Sequence, residues 1–564
     1  MTKSASPWFG SWGRWLWAQP GWTLFVLFTA SLVALPILTV LSHIFADSSE
    51  TWAHLAATVL PSYLINSLWL SLGVSLGVLG VGVSTAWFVA MCRFPGRAIV
   101  EWALLLPLST PAYVLAYTYT DFLDVAGPVQ QWLRSTGQWQ VGDYWFPEIR
   151  SLGGAIAMLV LVLYPYVYML ARVAFLEQSN RLLEASQMMG CNSWRSFWLV
   201  AFPLARPSIV VGVALVLMET LNDFGTVQYF GVDTFTTGIY RVWTGFGDRQ
   251  AATQLAAVLL LLIFGLVLIE RWSRGRAQYY QSHGLRERPY QYSLSRLATA
   301  GVLALCWLPI TLGFLLPTVL LGIMTYQNLT ESVTLEFTGY AGNSFFLAGV
   351  AAIISAAIAT ALAYGQRLNH APWLRTATRF SAMGYAIPGS VIAVGIAMPF
   401  GWLDQGLNLI AQIWTGSRVG LVFSGTALAL IFAYLVRFLA VSFGTVEAGL
   451  SKIKPSLDEA ARSLGRTPTQ TLWQIHRPLM WSSILTAVML VFVDVMKELP
   501  ATLMINPTHF ETLAVRVYRL ASDERLAAAS APALAIVAVG LLPVIVLSWQ
   551  IVRSQEDESS EGIG

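Results

Sequence analysis

Long apolar stretches separated by short polar ones set the pattern of the whole chain. A hydrocarbon core about 30 Å thick takes roughly 20 apolar residues of helix. Twelve runs approach that length, near 22–43, 63–92, 100–120, 152–175, 206–225, 252–270, 298–323, 343–365, 381–400, 420–441, 482–502 and 531–551. They predict an all-α polytopic membrane protein with twelve transmembrane helices. The first run is longer than a signal-peptide core and no convincing small-residue cleavage site follows it, so it is expected to remain as a helix that also starts insertion.

The pattern occurs twice. At an offset of 275 residues Glu184 aligns with Glu459, Ala185 with Ala460, Gly190 with Gly465, Trp198 with Trp473, Pro203 with Pro478 and Ile209 with Ile484. Upstream, an offset of 277 pairs Asn66 and Ser67 with Asn343 and Ser344, and Pro111 with Pro388. The chain therefore divides into a first six-helix half (1–271), a hydrophilic linker (272–296) and a second six-helix half (297–564). An even number of spans per half gives both copies the same orientation, so their pseudo-twofold axis should run along the membrane normal.

Composition excludes the soluble classes. Apolar residues make up 56% of the 564 and charged ones 11%, against about a quarter charged in soluble domains. A net charge of +3 is too balanced for a nucleic-acid binder. With the N-terminus inside, 24 of the 33 Lys and Arg fall on the cytoplasmic side, counting the six from Arg437 to Arg477. Both termini are thus expected in the cytoplasm. Cys92, Cys191 and Cys306 stand apart and the six histidines show no ligand spacing, so neither a disulfide framework nor a zinc site is expected.

The most informative segment joins the fourth and fifth spans of each half. In the second copy Ser456 and Glu459 have capping-box spacing, which predicts a helix from Leu457. Gly465 then suits a left-handed helix end, and Thr467–Pro468 a cap and first residue for a second short helix. The first copy repeats the plan with Glu184, Ala185, Ser186, Gly190, Asn192 and Pro203. Two short helices meeting at a glycine predict a compact knob in each half, a docking surface for a two-fold partner.

The E-A-A-x3-G pattern, with Pro203 or Pro478 beyond it, resembles the signature loop of permease subunits in bacterial ABC importers. The resemblance implies two tandem six-helix permease repeats in an inner membrane. It also implies that Glu184, Ala185, Gly190, Glu459, Ala460 and Gly465 contact an ATP-binding subunit, expected as a homodimer. The four lysines, Lys3, Lys452, Lys454 and Lys497, include no G-K-[ST] phosphate loop, so ATP belongs on that separate subunit. The chain is expected to be no enzyme and to bind no cofactor.

The fused layout and two stretches, Glu219–Tyr229 and Val495–Leu503, are similar to the ferric-iron permeases of this superfamily. That similarity implies a periplasmic ferric-iron-binding protein as second partner. Thiamine permeases share the layout and remain an alternative; a secondary transporter is the alternative from another class. Glu219 and Asp223 lie four apart on one helical face, and the duplication puts Asp494 and Glu498 at the same positions. Carboxylates near the bilayer usually face a cavity, and hard cations take oxygen ligands. These four acids are therefore expected to line the substrate path, with pairing to Lys497, Arg241 or Arg516 as the structural alternative.

Overall fold

The computed structural model describes residues 20–45, 50–178, 180–274, 292–369, 371–507 and 510–561. The helices used below are α1 (Gly21–Ser42), α2 (Leu60–Met91), α3 (Arg97–Ser109), α4 (Ala112–Gly137), α5 (Leu152–Leu176), α6 (Asn180–Met188), α7 (Trp194–Asn222), α8 (Gly225–Tyr229), α9 (Arg249–Glu270) and α10 (Arg296–Gln327). They continue as α11 (Leu335–Leu368), α12 (Gly389–Thr415), α13 (Ala427–Ser451), α14 (Pro455–Ser463), α15 (Pro468–Leu479), α16 (Trp481–Met496), α17 (Pro500–Ile505), α18 (Leu513–Ser522) and α19 (Leu526–Val546).

Among the described residues ten helices are long and apolar enough to span a membrane, and two bent pairs bring the number to twelve. The pairs are α3 with α4, bent by 90°, and α15 with α16, bent by 77°. The third expected span is thus a broken one. Thr110 is extended before Pro111, because a residue preceding proline is driven out of the helical region.

The chain folds as two compact units whose membership differs from the sequence halves. One contains the described parts of Met1–Ser48, Gly247–Ala257 and Gly339–Thr512, the other those of Ser49–Phe246, Val258–Thr338 and Leu513–Gly564. α1, from the first repeat, packs on α12 of the second, while α10 and α19 of the second repeat belong with α2–α8. Most of the expected linker lies outside the described residues; at its end Tyr292–Ser293 pairs in parallel with Cys92–Arg93.

Small residues let the helices approach. A Cβ on Gly73 or Gly77 of α2 would lie 2.5 or 2.4 Å from Ile156 and Val160 of α5. This four-residue glycine spacing is the usual device for close packing between membrane helices. The duplication extends to side-chain bonds: Asn66 Nδ2 donates to the Asp233 carbonyl at 2.9 Å, and its equivalent Asn343 to the Glu511 carbonyl at 3.1 Å. Cys92 and Cys306 are buried free thiols and Cys191 is a half-buried one, which fits packing roles.

Candidate functional site

The two loops share one backbone plan. α6 ends at Gly190 (φ +86°) and α14 at Gly465 (φ +72°), the left-handed conformation that glycine adopts without a Cβ penalty. Beyond each glycine a cap opens the next helix. The Asn192 side chain accepts from the Arg195 N–H at 2.9 Å, and Thr467 forms a reciprocal capping box with Gln470. A π turn follows at Phe197–Ala201 and again at Leu472–His476, 275 residues apart.

The start of α14 differs from the expected one. Lys454 occupies the cap position without a side-chain bond and Pro455 is the first helical residue, so Ser456 and Glu459 form no capping box. Proline's fixed φ and missing N–H suit that first position.

Glu184, Ala185, Gly190, Glu459, Ala460 and Gly465 are all exposed. So are large apolar side chains beside them: Met188 is 90% exposed, Met189 77% and Leu464 80%. Ser186 and its equivalent Ala461 turn inward. There the Ser186 hydroxyl meets that of Ser196 at 2.7 Å, so the one departure from the double-alanine pattern is absorbed by a local hydrogen bond.

The four candidate acids divide two by two between the units. Asp223 follows α7 and caps α8, its carboxylate accepting from the Val227 N–H at 3.1 Å and the Thr226 hydroxyl at 3.0 Å. Glu498 does the same for α17. Oε1 accepts from the Ala501 N–H at 2.9 Å, and Oε2 from the Thr502 N–H at 3.0 Å and the Thr502 hydroxyl at 2.5 Å. Carboxylates at a helix start answer the unpaired N–H groups there.

Their counter-charges differ. Arg437 Nη1 donates to Glu498 Oε1 at 3.0 Å, and Lys497 lies 3.0 Å from Asp494. Among the described residues Asp223 has no ion pair, and Glu219 has neither an ion pair nor a hydrogen bond. Packing around Asp223, just beyond the end of α7, pushes its carboxyl up to about 6, against the lowering effect of its hydrogen bonds. Arg241 and Arg516, the other expected partners, pair with Asp233 and Glu336.

Arg437 overturns one expectation. It lies inside α13, 5% exposed, so it does not belong among the loop cations counted for the orientation. Gly389 makes room for it: a Cβ there would sit 2.6 Å from Glu498 Oε1 and 2.7 Å from Arg437 Nη1. A lone arginine in an otherwise apolar run was the available signal. Arg367, Asp458 and His476, which join the second loop to α11, gave no comparable signal. Their spacing is 91 and 18 residues.

The family described as binding-protein-dependent transport system inner membrane component matches residues 79–273 and again 353–554. The chain belongs to that family. Each match contains one glycine-ended loop of the permease. This permease is 26% identical to the Fe(3+)-transport system permease protein FbpB 2 of Haemophilus influenzae over 86% of its own chain and 89% of that one. It is 22% identical to the ferric transport system permease protein FbpB of Actinobacillus pleuropneumoniae, over 86% and 70%. The molybdenum transport system permease protein ModB of Escherichia coli K12 matches 35% of the permease at 28% identity, with 87% of its own length. That relative corresponds to one half only.

Proposed function

We propose that this chain is the membrane subunit of a binding-protein-dependent ABC importer for ferric iron, and that it moves the ion inward across a bacterial inner membrane. The observation that carries the coupling role is the duplicated knob: helix, left-handed glycine, capped helix and π turn, repeated at 275 residues with its apolar side chains exposed. A homodimeric ATP-binding subunit has two equivalent grooves to receive α6 and α14. ATP is hydrolysed there, and the permease holds no nucleotide. With the knobs in the cytoplasm, both termini lie on the same side and a periplasmic protein delivers iron to the opposite face.

Iron is supported by the two ferric relatives that match along most of the permease and by the chemistry of the acids. Ferric iron is a small, hard cation that takes oxygen donors. Among the described residues Glu219 and Asp223 offer carboxylates with no ion-pair partner, whereas Asp494 and Glu498 are paired. We assign the electrostatic attraction along the path to the first pair and a capping role to the second.

Proteoliposomes holding the permease, its ATP-binding subunit and the loaded binding protein provide the test. Radio-iron uptake should require ATP and survive collapse of the proton gradient. Glu219→Gln with Asp223→Asn should lower uptake at least about tenfold at equal assembly, as expected when charge is removed from an ion path. Uptake of thiamine in place of iron would overturn the substrate, and uptake driven by a pH gradient through the permease alone would overturn the ABC reading.

A further inference from the structure

The second loop is tied to the membrane helices by a polar clamp. Arg367, in the last turn of α11, donates from Nε to Asp458 Oδ2 at 2.8 Å, and its Nη2 lies 2.7 Å from the same oxygen. The same guanidinium donates to the carbonyls of Leu450 at 2.8 Å and Ile453 at 3.0 Å, at and just beyond the end of α13. Asp458, in the first turn of α14, accepts at Oδ1 from His476 Nε2 at 2.6 Å. His476 is fully buried at the end of the π turn and lies against Tyr364, whose hydroxyl donates to the Pro468 carbonyl at 2.8 Å. One arginine therefore joins two membrane helices to the loop, and one aspartate joins both short helices of the loop.

The first repeat has other residues at each equivalent position. The register that pairs Asn66 with Asn343, Pro95 with Pro372 and Pro111 with Pro388 sets Trp87 against Tyr364 and Ala90 against Arg367. The loop register sets Leu183 against Asp458 and Ala201 against His476. Leu183 and Ala201 are fully buried, and Trp87 packs on Phe175 and Phe197 with centroids 5.3 and 4.9 Å apart. Other polar contacts serve that region: Arg172 pairs with Glu101 between α5 and α3, Gln178 Nε2 donates to the Ala201 carbonyl at 2.8 Å, and the Ser186 and Ser196 hydroxyls meet at 2.7 Å. A charge-assisted network has a narrow geometric optimum, so the clamp holds the second loop closely against α11 and α13.

We infer that Arg367, Asp458 and His476 are positioning residues that make the second loop a stiff lever, passing movement of the ATP-binding dimer to α11 and α13. This rests on the docking role of the loops, so the experiment tests both. In the assembled complex, Ala185→Cys and Ala460→Cys are each crosslinked to the ATP-binding subunit, and iron moved per ATP hydrolysed is measured for Arg367→Gln, Arg367→Lys and Asp458→Asn. Crosslinks should form at both loops. Arg367→Gln and Asp458→Asn should keep assembly and ATP hydrolysis yet lower iron per ATP at least about threefold, the scale on which single positions alter coupling between sites. Arg367→Lys should recover part of the loss. Absence of both crosslinks would overturn the docking role and the lever with it. Crosslinks with an unchanged ratio in the clamp variants, or with assembly, hydrolysis and uptake falling in parallel, would overturn the lever alone.

Discussion

Arg437 Nη1 lies 3.0 Å from Glu498 Oε1 in the second repeat, and the equivalent positions of the first repeat hold Val162 and Asp223. Among the described residues one acid is therefore neutralised and its duplicate has no ion pair. Removing one member of a buried pair typically costs about 3–5 kcal/mol because the other is left charged and unpaired. Arg437→Met should lower the unfolding midpoint of the purified permease sharply. Arg437→Met with Glu498→Gln should cost less than the sum of the two single changes, measured as a double-mutant cycle by thermal unfolding in detergent.

Asp223 should give uptake a pH dependence. Its carboxyl is pushed up to about 6 by burial, so it is charged above that pH and neutral below it. Iron uptake should fall as the external pH drops through about 6, and Asp223→Asn should flatten the profile. The stability effect has the opposite sign. A raised carboxyl contributes fully below the ordinary value of 3.8 and loses that contribution as pH rises through about 6. Uptake profiles and Tm measured over the same pH series check both.

The loop glycines test conformation separately from space. Gly190 and Gly465 have left-handed φ, and a Cβ added to either would meet no atom within 4 Å, so a substitution meets strain and no clash. A side chain in that region costs about 1–2 kcal/mol, and asparagine visits it readily. Gly465→Val should reduce binding-protein-stimulated ATP hydrolysis of the complex, and Gly465→Asn should retain most of it.

Asp404 is a purely structural acid by its contacts. It accepts from the N–H groups of Val422, Phe423 and Ser424 at 2.8–2.9 Å and is 1% exposed. Asp404→Ala strands those donors at about 1–3 kcal/mol for a buried unsatisfied group. Faster proteolysis between Gly416 and Thr426, with iron moved per ATP unchanged in intact protein, is the expected result.

The sequence by itself determined what depends on a few neighbouring residues: the apolar lengths, the left-handed Gly190 and Gly465, the cap at Thr467, and the duplication of all these. Each follows from bilayer thickness or from the φ that a residue permits, and neither needs a distant partner. The tertiary structure alone decided the pairings. Arg437 reaches Glu498 across 61 residues and Arg367 reaches Asp458 across 91, and α1 packs with the repeat that does not contain it. A local pattern states that a helix has an apolar surface but not which surface will cover it. Shape decides that, as where Gly389 leaves the space that Arg437 and Glu498 occupy. The same reason separates the acids: spacing set each pair four apart on one helical face, but α7 ends at Asn222 and α16 at Met496, so Asp223 and Glu498 lie beyond those helices, and only packing brought Arg437 to Glu498.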